Sequence, residues 1–295
     1  MSSMTRIGVI GAGRVGAVLG AALRAAGHEI VSVGGESPAS RTRIVTLLPG
    51  VRVDKPTAVA RACDLLLLTV PDDMLGNVVS MLAASGALRE GQYVAHTSGR
   101  HGLAVLQPAA DLGAHVLAMH PAMTFTGTDV DLARLPGCVF GVTAADETVD
   151  LAATLVAQLG GSSVRVPEDL RALYHAGLAH GANHLVTLVA QAMDLLRAAG
   201  VDDPAATLRP LLNASLDNAL TYGEAALTGP IVRGDVETVR AHLAGIAATA
   251  PSTLPSYVVL ARATANSAVL DGRLLPIRAA KLVGILNDAL SRVEA

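Results

Sequence analysis

The pattern of apolar and polar residues changes character near residue 167. Before that point, short β-branched or apolar runs alternate with stretches of helical spacing. This alternation predicts βαβ units, in which helices cover both faces of a parallel sheet. The predicted strands are Ile7–Ile10, Glu29–Val33, Leu65–Val70, Tyr93–His96, Val116–Met119, Val139–Val142 and Val164–Val166. The predicted helices include Val15–Ala26, Met74–Ala84, Leu103–Leu112 and Thr148–Leu159.

The remainder of the chain is a series of Ala- and Leu-rich helical stretches in which we predict no strand. Asp203 before Pro204 predicts a helix start, with the carboxylate as N-cap and proline in the first turn. The segment 181–199 is apolar on more than one side, which predicts burial within a bundle or against a second subunit, and we expect a homodimer. The predicted domains are a doubly wound Rossmann α/β domain at 1–167 and an all-α domain at 168–295.

The composition narrows the possible partners. The net charge is −3 without a basic block, and aromatic residues make up only 2% of the chain, so we expect no nucleic acid partner. Apolar runs such as Leu65–Leu68 are far shorter than the roughly 20 residues of a membrane span. Two cysteines, Cys63 and Cys138, cannot form a disulfide framework or a zinc set, and we see no apolar secretion signal; we therefore expect a cytoplasmic protein without a metal.

A glycine-rich segment, GAGRVG at residues 11–16, joins the first predicted strand to the first predicted helix. In the dinucleotide-binding turn the three glycines permit the tight turn, the approach of the pyrophosphate and the packing of helix on strand. The pyrophosphate then accepts hydrogen bonds from the N-terminus of the helix. The candidate cofactor contacts in this turn are Gly11, Gly13, Arg14, Val15 and Gly16.

The second strand indicates which dinucleotide is bound. An NAD site usually has an acid at the end of this strand, but here Val33 is followed by two glycines. Hydroxyl groups, Arg41 and Arg43 come next, and guanidinium groups suit a 2′-phosphate, whereas Glu36 argues for NAD. We predict NADP rather than NAD, with Arg41 as the better contact; the alternative is that both arginines are solvated in a loop.

Polar residues follow three further strands at the edge where ligands bind in such sheets. Val70 and Pro71 are predicted to line the cofactor, and Asp72 or Asp73 is predicted to cap the next helix. Ser98 and His120 follow the two next strands and are candidate catalytic residues. A histidine at a strand end is, however, more often a core residue than a catalyst.

The segment YHAGLAHGANH at residues 174–184 carries candidate chemistry on a predicted helix. His175 and Asn183 are eight residues apart, about 80° around an α-helix, so both could reach one ligand. His180 and His184 have the i, i+4 spacing of helical metal pairs, but no acid lies nearby, and we favour ordinary surface or interface histidines.

A second irregular segment, LTGPIVRGD at residues 227–235, connects two predicted helices. Arg233 on this loop is a candidate for binding a substrate carboxylate. Thr228 and Asp235 are further candidate substrate contacts, although Asp235 also has the position of an N-cap for the helix through His242.

Over nearly its whole length the chain resembles bacterial Rossmann-like oxidoreductases related to 6-phosphogluconate and β-hydroxyacid dehydrogenases. The matching segments are GAGRVG, LLLTVPDD, HTSG, HPAMTF, YHAGLAHGANH and, most specifically, LTGPIVRGD followed by His242. Several members resemble an alternative type of ketopantoate reductase that uses NADPH. The resemblance implies that His175 stands at the position of the superfamily's lysine and Asn183 at an asparagine position, although no lysine lies near. A looser similarity to prephenate dehydrogenases implies that Ser98 and His120 lie near the reacting carbon.

These observations lead to three hypotheses. The first is an NADPH-dependent reductase of a small 2-keto acid, most specifically 2-dehydropantoate to pantoate, with His175 donating the proton, Asn183 binding the carbonyl and Arg233 the carboxylate. The second is an imine reductase of the pyrroline-carboxylate type, whose substrate needs less acid assistance. The third is a non-catalytic dimer that senses NADP(H).

Overall fold

The structure is a computed structural model that describes residues 4–35 and 37–291. The chain divides into two compact units, residues 1–181 and 182–295. The last strand of the first unit ends just before the predicted domain boundary at residue 167, and the first unit also includes the helix that follows. Each unit is described by itself below.

The first unit contains one eight-stranded sheet in the described residues, with strand order β3-β2-β1-β4-β5-β6-β7-β8. The strands are β1 (Arg6–Ile10), β2 (Glu29–Gly34), β3 (Arg52–Val53), β4 (Leu65–Leu68), β5 (Tyr93–His96), β6 (His115–Pro121), β7 (Val139–Ala144) and β8 (Ser162–Arg165). The helices are α1 (Arg14–Ala25), α2 (Pro38–Leu47), α3 (Pro56–Ala62), α4 (Asp72–Ala84), α5 (Gln107–Ala110), α6 (Val130–Arg134), α7 (Asp146–Gln158) and α8 (Arg171–Leu178). The predicted α/β fold is thereby confirmed.

One part of the predicted sheet is wrong. All neighbouring strands are parallel except β6 and β7, which pair antiparallel, with His120 opposite Gly141. Parallel pairing requires a crossover, usually through a helix, whereas the segment between these strands contains only the five-residue helix α6. The sheet is therefore mostly parallel.

The core of the first unit lies on both faces of the sheet. Leu65 and Leu67 pack into the cluster beneath α1 and α7, while Leu66 and Leu68 pack into the cluster beneath α4. Successive side chains of a strand point to opposite faces, so a continuous apolar run is what a strand covered on both sides requires. Cys63 is buried in the second cluster, where burial raises the pKa of its thiol to about 11.

The second unit is helical throughout its described residues, as predicted. A π-helical turn at Ala179–Asn183 leads into α9 (His184–Ala198), which is followed by α10 (Pro204–Tyr222), α11 (Pro230–Arg233), α12 (Val236–Thr249), α13 (Leu254–Leu270) and α14 (Pro276–Ser291). The carboxylate of Asp203 caps α10 by accepting a hydrogen bond from Ala206 N at 2.9 Å. The core is formed by α11 to α14. No helix in the described part of the chain has the length and hydropathy of a bilayer span.

Candidate functional site

The glycine turn packs directly onto the end of β4. Gly11 has φ +97°, and a Cβ there would lie 2.7 Å from the backbone of Thr69. A Cβ on Gly16 would overlap Gly11 O and Thr69 Oγ1, and that hydroxyl donates a hydrogen bond to Gly11 O at 2.7 Å. Both glycines are therefore required by packing. Thr69, which the sequence analysis did not single out, fastens the turn to the sheet.

Gly13 has a different environment from the two packed glycines. It is the N-cap of α1 without any side-chain cap, and the nearest atom to a Cβ built there is Gly11 O, at 3.8 Å. The first N–H groups of a helix have no intrahelical acceptor and attract an anion. The open backbone at Gly13 and the uncapped start of α1, where Arg14 and Val15 follow, therefore fit a pyrophosphate group.

Arg14 and Arg43 border the glycine turn, and Arg41 lies on the same helix as Arg43. A Cβ on Gly127 would lie 2.5 Å from Arg43 Nε and 3.0 Å from Arg14 Cγ, so both side chains lie beside this residue. Arg43 is half-buried, whereas Arg41 on the same helix is exposed. Among the described residues, no carboxylate lies within 4 Å of any of these three guanidinium groups. The turn therefore carries positive charge, and Arg43 is the arginine that lies beside Arg14.

The predicted preference for Arg41 stays a prediction, and Glu36, which argued for NAD, lies outside the described residues.

The end of β4 continues into α4 beside the glycine turn. A Cβ on Gly11 would lie 2.7 Å from Val70 N, so this peptide forms part of the turn's environment. Pro71 is the N-cap of α4, and no side chain caps the helix. The predicted capping role of Asp72 or Asp73 is therefore wrong. Both carboxylates lie in the first turn, where their negative charge interacts favourably with the helix dipole. Asp72 also forms an ion pair with Arg100 at 3.3 Å.

The end of β5 is held by buried hydrogen bonds. His96 Nε2 lies 2.8 Å from Gly102 O, and Ser98 N donates to His96 Nδ1 at 3.1 Å, so His96 carries its proton on Nε2. Burial lowers the pKa of His96 to about 4. Ser98 Oγ accepts from His101 N at 3.1 Å. These contacts place Ser98 in the framework of the loop, and its predicted catalytic role stays a prediction.

Arg171 at the start of α8 is fully buried and hydrogen-bonds the same loop. Its guanidinium donates to Ser98 O at 2.5 Å and to Thr143 Oγ1 at 3.0 Å. It thereby connects the β5 loop, β7 and α8. Arginine is seldom fully buried, and the sequence analysis did not predict this position, because nothing in the local pattern distinguishes it from a solvated helix residue.

Three aromatic side chains form a cluster near this arginine: His120, Tyr174 and His175. The Tyr174 hydroxyl lies 3.1 Å from His120 Nδ1, and the rings of His120 and His175 meet edge to face with centroids 5.7 Å apart. A Cβ on Gly99 would overlap the His175 ring, and one on Gly141 would lie 2.5 Å from the Tyr174 hydroxyl. The two glycines thus leave the space that the rings occupy.

Burial sets the protonation of this cluster. Burial, followed by the nearby His175 and Arg171, lowers the pKa of His120 to about 4, so this imidazole is neutral at pH 7. Burial raises the pKa of Tyr174, so its phenol is protonated at that pH. The fold brings the predicted residues His120 and His175 together. It also adds Tyr174, which the sequence analysis quoted within the motif without giving it a role.

Asn183 lies at the end of the π-helical turn and is exposed. The predicted 80° offset between His175 and Asn183 assumes 3.6 residues per turn throughout. That assumption is wrong here, because a π-turn closes its hydrogen bonds over five residues and changes the rotation of everything that follows. Single π-turns occur frequently at functional sites.

The LTGPIVRGD segment ends at the N-cap of α12. Asp235 caps α12 by accepting hydrogen bonds from Thr238 N at 3.1 Å and Thr238 Oγ1 at 2.7 Å, and these bonds lower the pKa of its carboxyl. The predicted N-cap is thus confirmed. Arg233 is exposed, and Thr228 lines a cavity together with His242. Among the described residues, no group of three or more His, Cys, Asp or Glu could hold a metal ion.

Comparisons with known protein families match both halves of the chain. The family described as Rossmann-like domain matches residues 2–121, and a domain of unknown function, DUF2520, matches residues 138–264. A search of the curated proteins gave no match.

Solved structures with the same fold cover almost the whole chain. A candidate NADP oxidoreductase from Bacteroides fragilis has a TM-score of 0.76 at 21% identity and covers 89% of this chain and 98% of its own. An imine reductase from Myxococcus stipitatus in complex with NADP+ has a TM-score of 0.63 at 15% identity, covering 97% and 94%. Pyrroline carboxylate reductase from Plasmodium falciparum with NADP bound has a TM-score of 0.54 at 11% identity, covering 95% and 98%. The chain therefore has the fold of a Rossmann-like domain followed by a helical domain.

Proposed function

We propose that this protein is an NADPH-dependent reductase of a small 2-keto acid, with 2-dehydropantoate as the first candidate substrate. The observation that carries the proposal is the glycine turn, in which Gly11 and Gly16 are fixed by packing while Gly13 leaves an uncapped helix N-terminus open. The oxidoreductase descriptions of the structural relatives, two of them with NADP bound, support the NADP-dependent oxidoreductase part of this proposal.

The first unit supplies the nucleotide contacts of the proposed enzyme. The start of α1 at Gly13 and Arg14 would bind the pyrophosphate, and Val70 with Pro71 would line the cofactor edge. Arg14 and Arg43, which pair with no carboxylate in the part of the chain that the structure describes, favour NADP rather than NAD, because the 2′-phosphate adds negative charge. When bound, NADPH supplies the hydride.

The proton would come from the histidine cluster. Because burial keeps His120 neutral at pH 7, His120 serves as a hydrogen-bond partner of the Tyr174 hydroxyl rather than as the acid. Tyr174 and His120 would thus position the His175 ring, which packs edge-on against His120. His175 is then the group that donates the proton to the developing alkoxide.

Arg233 and Asn183 are the proposed substrate contacts of the second unit, and both are exposed. Arg233 has the fixed fork of donors that a carboxylate accepts, and the Asn183 amide would bind the substrate oxygen. Both carboxylate oxygens of Asp235 already accept bonds from Thr238, so its contribution would be to hold the loop that carries Thr228 and Arg233.

The decisive experiment is NADPH oxidation with a panel of small keto acids, beginning with 2-dehydropantoate. We expect turnover, and we expect His175→Gln to lower kcat by about 10²- to 10⁴-fold while NADPH still binds. His180→Gln on the adjacent helical turn is the matched control and should retain wild-type kcat. If His175→Gln kept a kcat close to the wild-type value, His175 would not be the proton donor.

A second candidate function is reduction of a C=N bond. The observation in its favour is that His120 is neutral, Tyr174 is a weak acid and no lysine is present in the cluster, a set that suits an imine, which needs little acid assistance. The relatives described as imine and pyrroline carboxylate reductases point the same way. Oxidation of NADPH by a cyclic imino acid but not by keto acids would select this function. Binding of NADPH without turnover of either class would indicate a nucleotide sensor.

We further propose that the protein is a homodimer formed through α9 and α10. Several apolar side chains on these helices are largely exposed to solvent: the accessible fraction is 71% for Val186, 62% for Leu211 and 79% for Leu220. Apolar surface of this extent is rare on monomers, and twofold dimers are the commonest way to cover it. The predicted cytoplasmic location stays a prediction.

A further inference from the structure

The helical unit contains a cavity of about 440 Å³ beside the LTGPIVRGD segment. All residues that line it lie between 188 and 264, so the cavity is complete within this unit. Its apolar walls include Leu188, Ala192, Leu195, Leu227, Ile231 and Leu260. A cavity of this volume and character is within the range that small-molecule sites occupy.

One region of the cavity wall is polar. His242 Nδ1 lies 2.9 Å from the Tyr257 hydroxyl, and burial raises the pKa of Tyr257, so the phenol is protonated at neutral pH. Whichever of the two groups donates across this contact, the pair retains at least one N–H or O–H donor for a ligand.

A second polar pair has the same property. Ser256 Oγ lies within hydrogen-bond distance of two acceptors, Gln191 Oε1 at 2.8 Å and Thr253 O at 2.9 Å, which share its single proton. The Gln191 Nε2 donors remain for a ligand. The described residues that line the cavity include no Asp, Glu, Lys or Arg. The polar groups therefore suit an uncharged or singly charged oxygen acceptor, whereas a phosphate or a dicarboxylate would lack the cations that such groups require.

The wall formed by Leu227 and Thr228 is held in place by the backbone. Gly229 has φ +96°, which a residue with a side chain rarely adopts. Arg273, in the turn after α13, donates to Leu227 O at 2.8 Å and to Glu224 O at 2.6 Å, so the loop is fastened to this turn. A wall fixed before binding lowers the entropy cost of association.

We propose that this cavity binds a small aliphatic molecule through one carbonyl or carboxylate oxygen, with that oxygen at the His242 and Tyr257 pair. The inference rests on the proposed function in one residue, Thr228, which is also a proposed substrate contact, but the site requires no nucleotide and no residue of the first unit.

The test is calorimetric titration of the full-length protein without nucleotide, using 4-methyl-2-oxopentanoate as the probe. We expect this probe to bind, and 2-oxoglutarate and inorganic phosphate not to bind. Tyr257→Phe should weaken binding about tenfold, as expected for one lost hydrogen bond. Ala192→Phe places a ring in the cavity and should abolish binding, whereas Ala248→Phe, at an exposed position of α12 that does not line the cavity, should retain it.

Three results would overturn the inference: no binding of the aliphatic probe, equal binding of all three probes, or unchanged binding by the Ala192 variant. If unchanged binding is accompanied by a change of mass in light scattering, a second copy is the occupant. Failure of the proposed reductase activity would leave the nucleotide-free titration unaffected, so the two proposals fail separately.

Discussion

The two units of this protein differ in how many polar side chains they bury. The first unit buries His96, Asp131, Thr143 and Arg171 and hydrogen-bonds each of them to strands and loops, with only Arg171 Nε among their buried polar atoms left without a partner. In the described part of the second unit, Thr253 is the one buried polar residue. Buried polar groups fix a unique geometry but cost free energy when a partner is lost. The first unit therefore specifies a rigid site, whereas the second relies on apolar packing.

The same contrast extends to the surface. The core of the first unit covers both faces of its sheet, but α9 contributes no buried residue and α10 contributes only Pro204 to the second unit. A helix that leaves its apolar residues exposed gains stability only when a partner covers them. The first unit should thus be sensitive to protonation, and the second to association.

The largest expected effect is the loss of stability of the first unit in acid. Burial lowers the pKa of both His96 and His120 to about 4, whereas an unfolded histidine titrates near 6.5. Below pH 6.5 the unfolded state therefore binds more protons, and the stabilisation decreases until pH 4. We expect each histidine to cost roughly 2 kcal/mol between pH 7 and pH 5. Urea unfolding at the two pH values, with hydrogen exchange to locate the effect, provides the measurement.

His96→Gln and His120→Gln are the controls for this pH dependence. Each variant removes one titrating group, so the slope of unfolding free energy against pH should fall by about one proton. A wild-type protein that is equally stable at both pH values would contradict the buried neutral histidines, and exchange that increases first in the helical unit would contradict the contrast between the units.

The second prediction concerns the open glycine turn. Gly13→Asp places a carboxylate at the uncapped start of α1, where the backbone leaves room for a side chain. The fold should persist, because aspartate is a good N-cap, but NADPH should bind roughly 100-fold more weakly through repulsion and lost N–H donors. Fluorescence titration of NADPH measures the effect.

Ala145→Asp is the matched variant for this test. It introduces the same carboxylate at the N-cap of α7, which also lacks a side-chain cap. NADPH affinity should stay at the wild-type value. Equal weakening by the two substitutions would mean that net charge, rather than the turn, determines binding.

Local signals explain what the sequence predicted correctly. The apolar run Leu65–Leu68, the glycine turn at 11–16 and the caps Asp203 and Asp235 each depend on neighbours within a few residues, and the structure has all four. The two-residue strand β3 and the mostly polar helix α2, which buries only Ile44, lack such a signal and were not predicted.

Contacts between distant segments explain what was not predicted. His120 and Tyr174 are 54 residues apart, and Arg171 reaches Ser98 across 73 residues. No periodicity reports such pairs, because they depend on how the strands are ordered in the sheet. The antiparallel β7 and the π-turn before Asn183 also depend on tertiary packing that overrides local propensity.

The third prediction tests the exposed helices of the second unit. Leu220→Asp places a charge in the proposed dimer surface, and burying an unpaired carboxylate should weaken dimerisation by at least about tenfold. Light scattering across a dilution series measures the dissociation constant. Val45→Asp, on an apolar residue of the first unit that is 73% exposed, is the control and should leave the mass unchanged. A monomeric wild-type protein would contradict the proposed interface.

The smallest expected effect distinguishes two arginines on α2. Arg43 is half-buried and lies beside Arg14 at the glycine turn, whereas Arg41 is exposed. A half-buried guanidinium has less rotamer freedom to lose on binding a phosphate than an exposed one, so Arg43→Ala should lower the preference for NADPH over NADH about fivefold. Arg41→Ala is the matched variant and should change it less. The ratio of the two dissociation constants gives the preference, and a larger change in the Arg41 variant would restore the assignment made from the sequence.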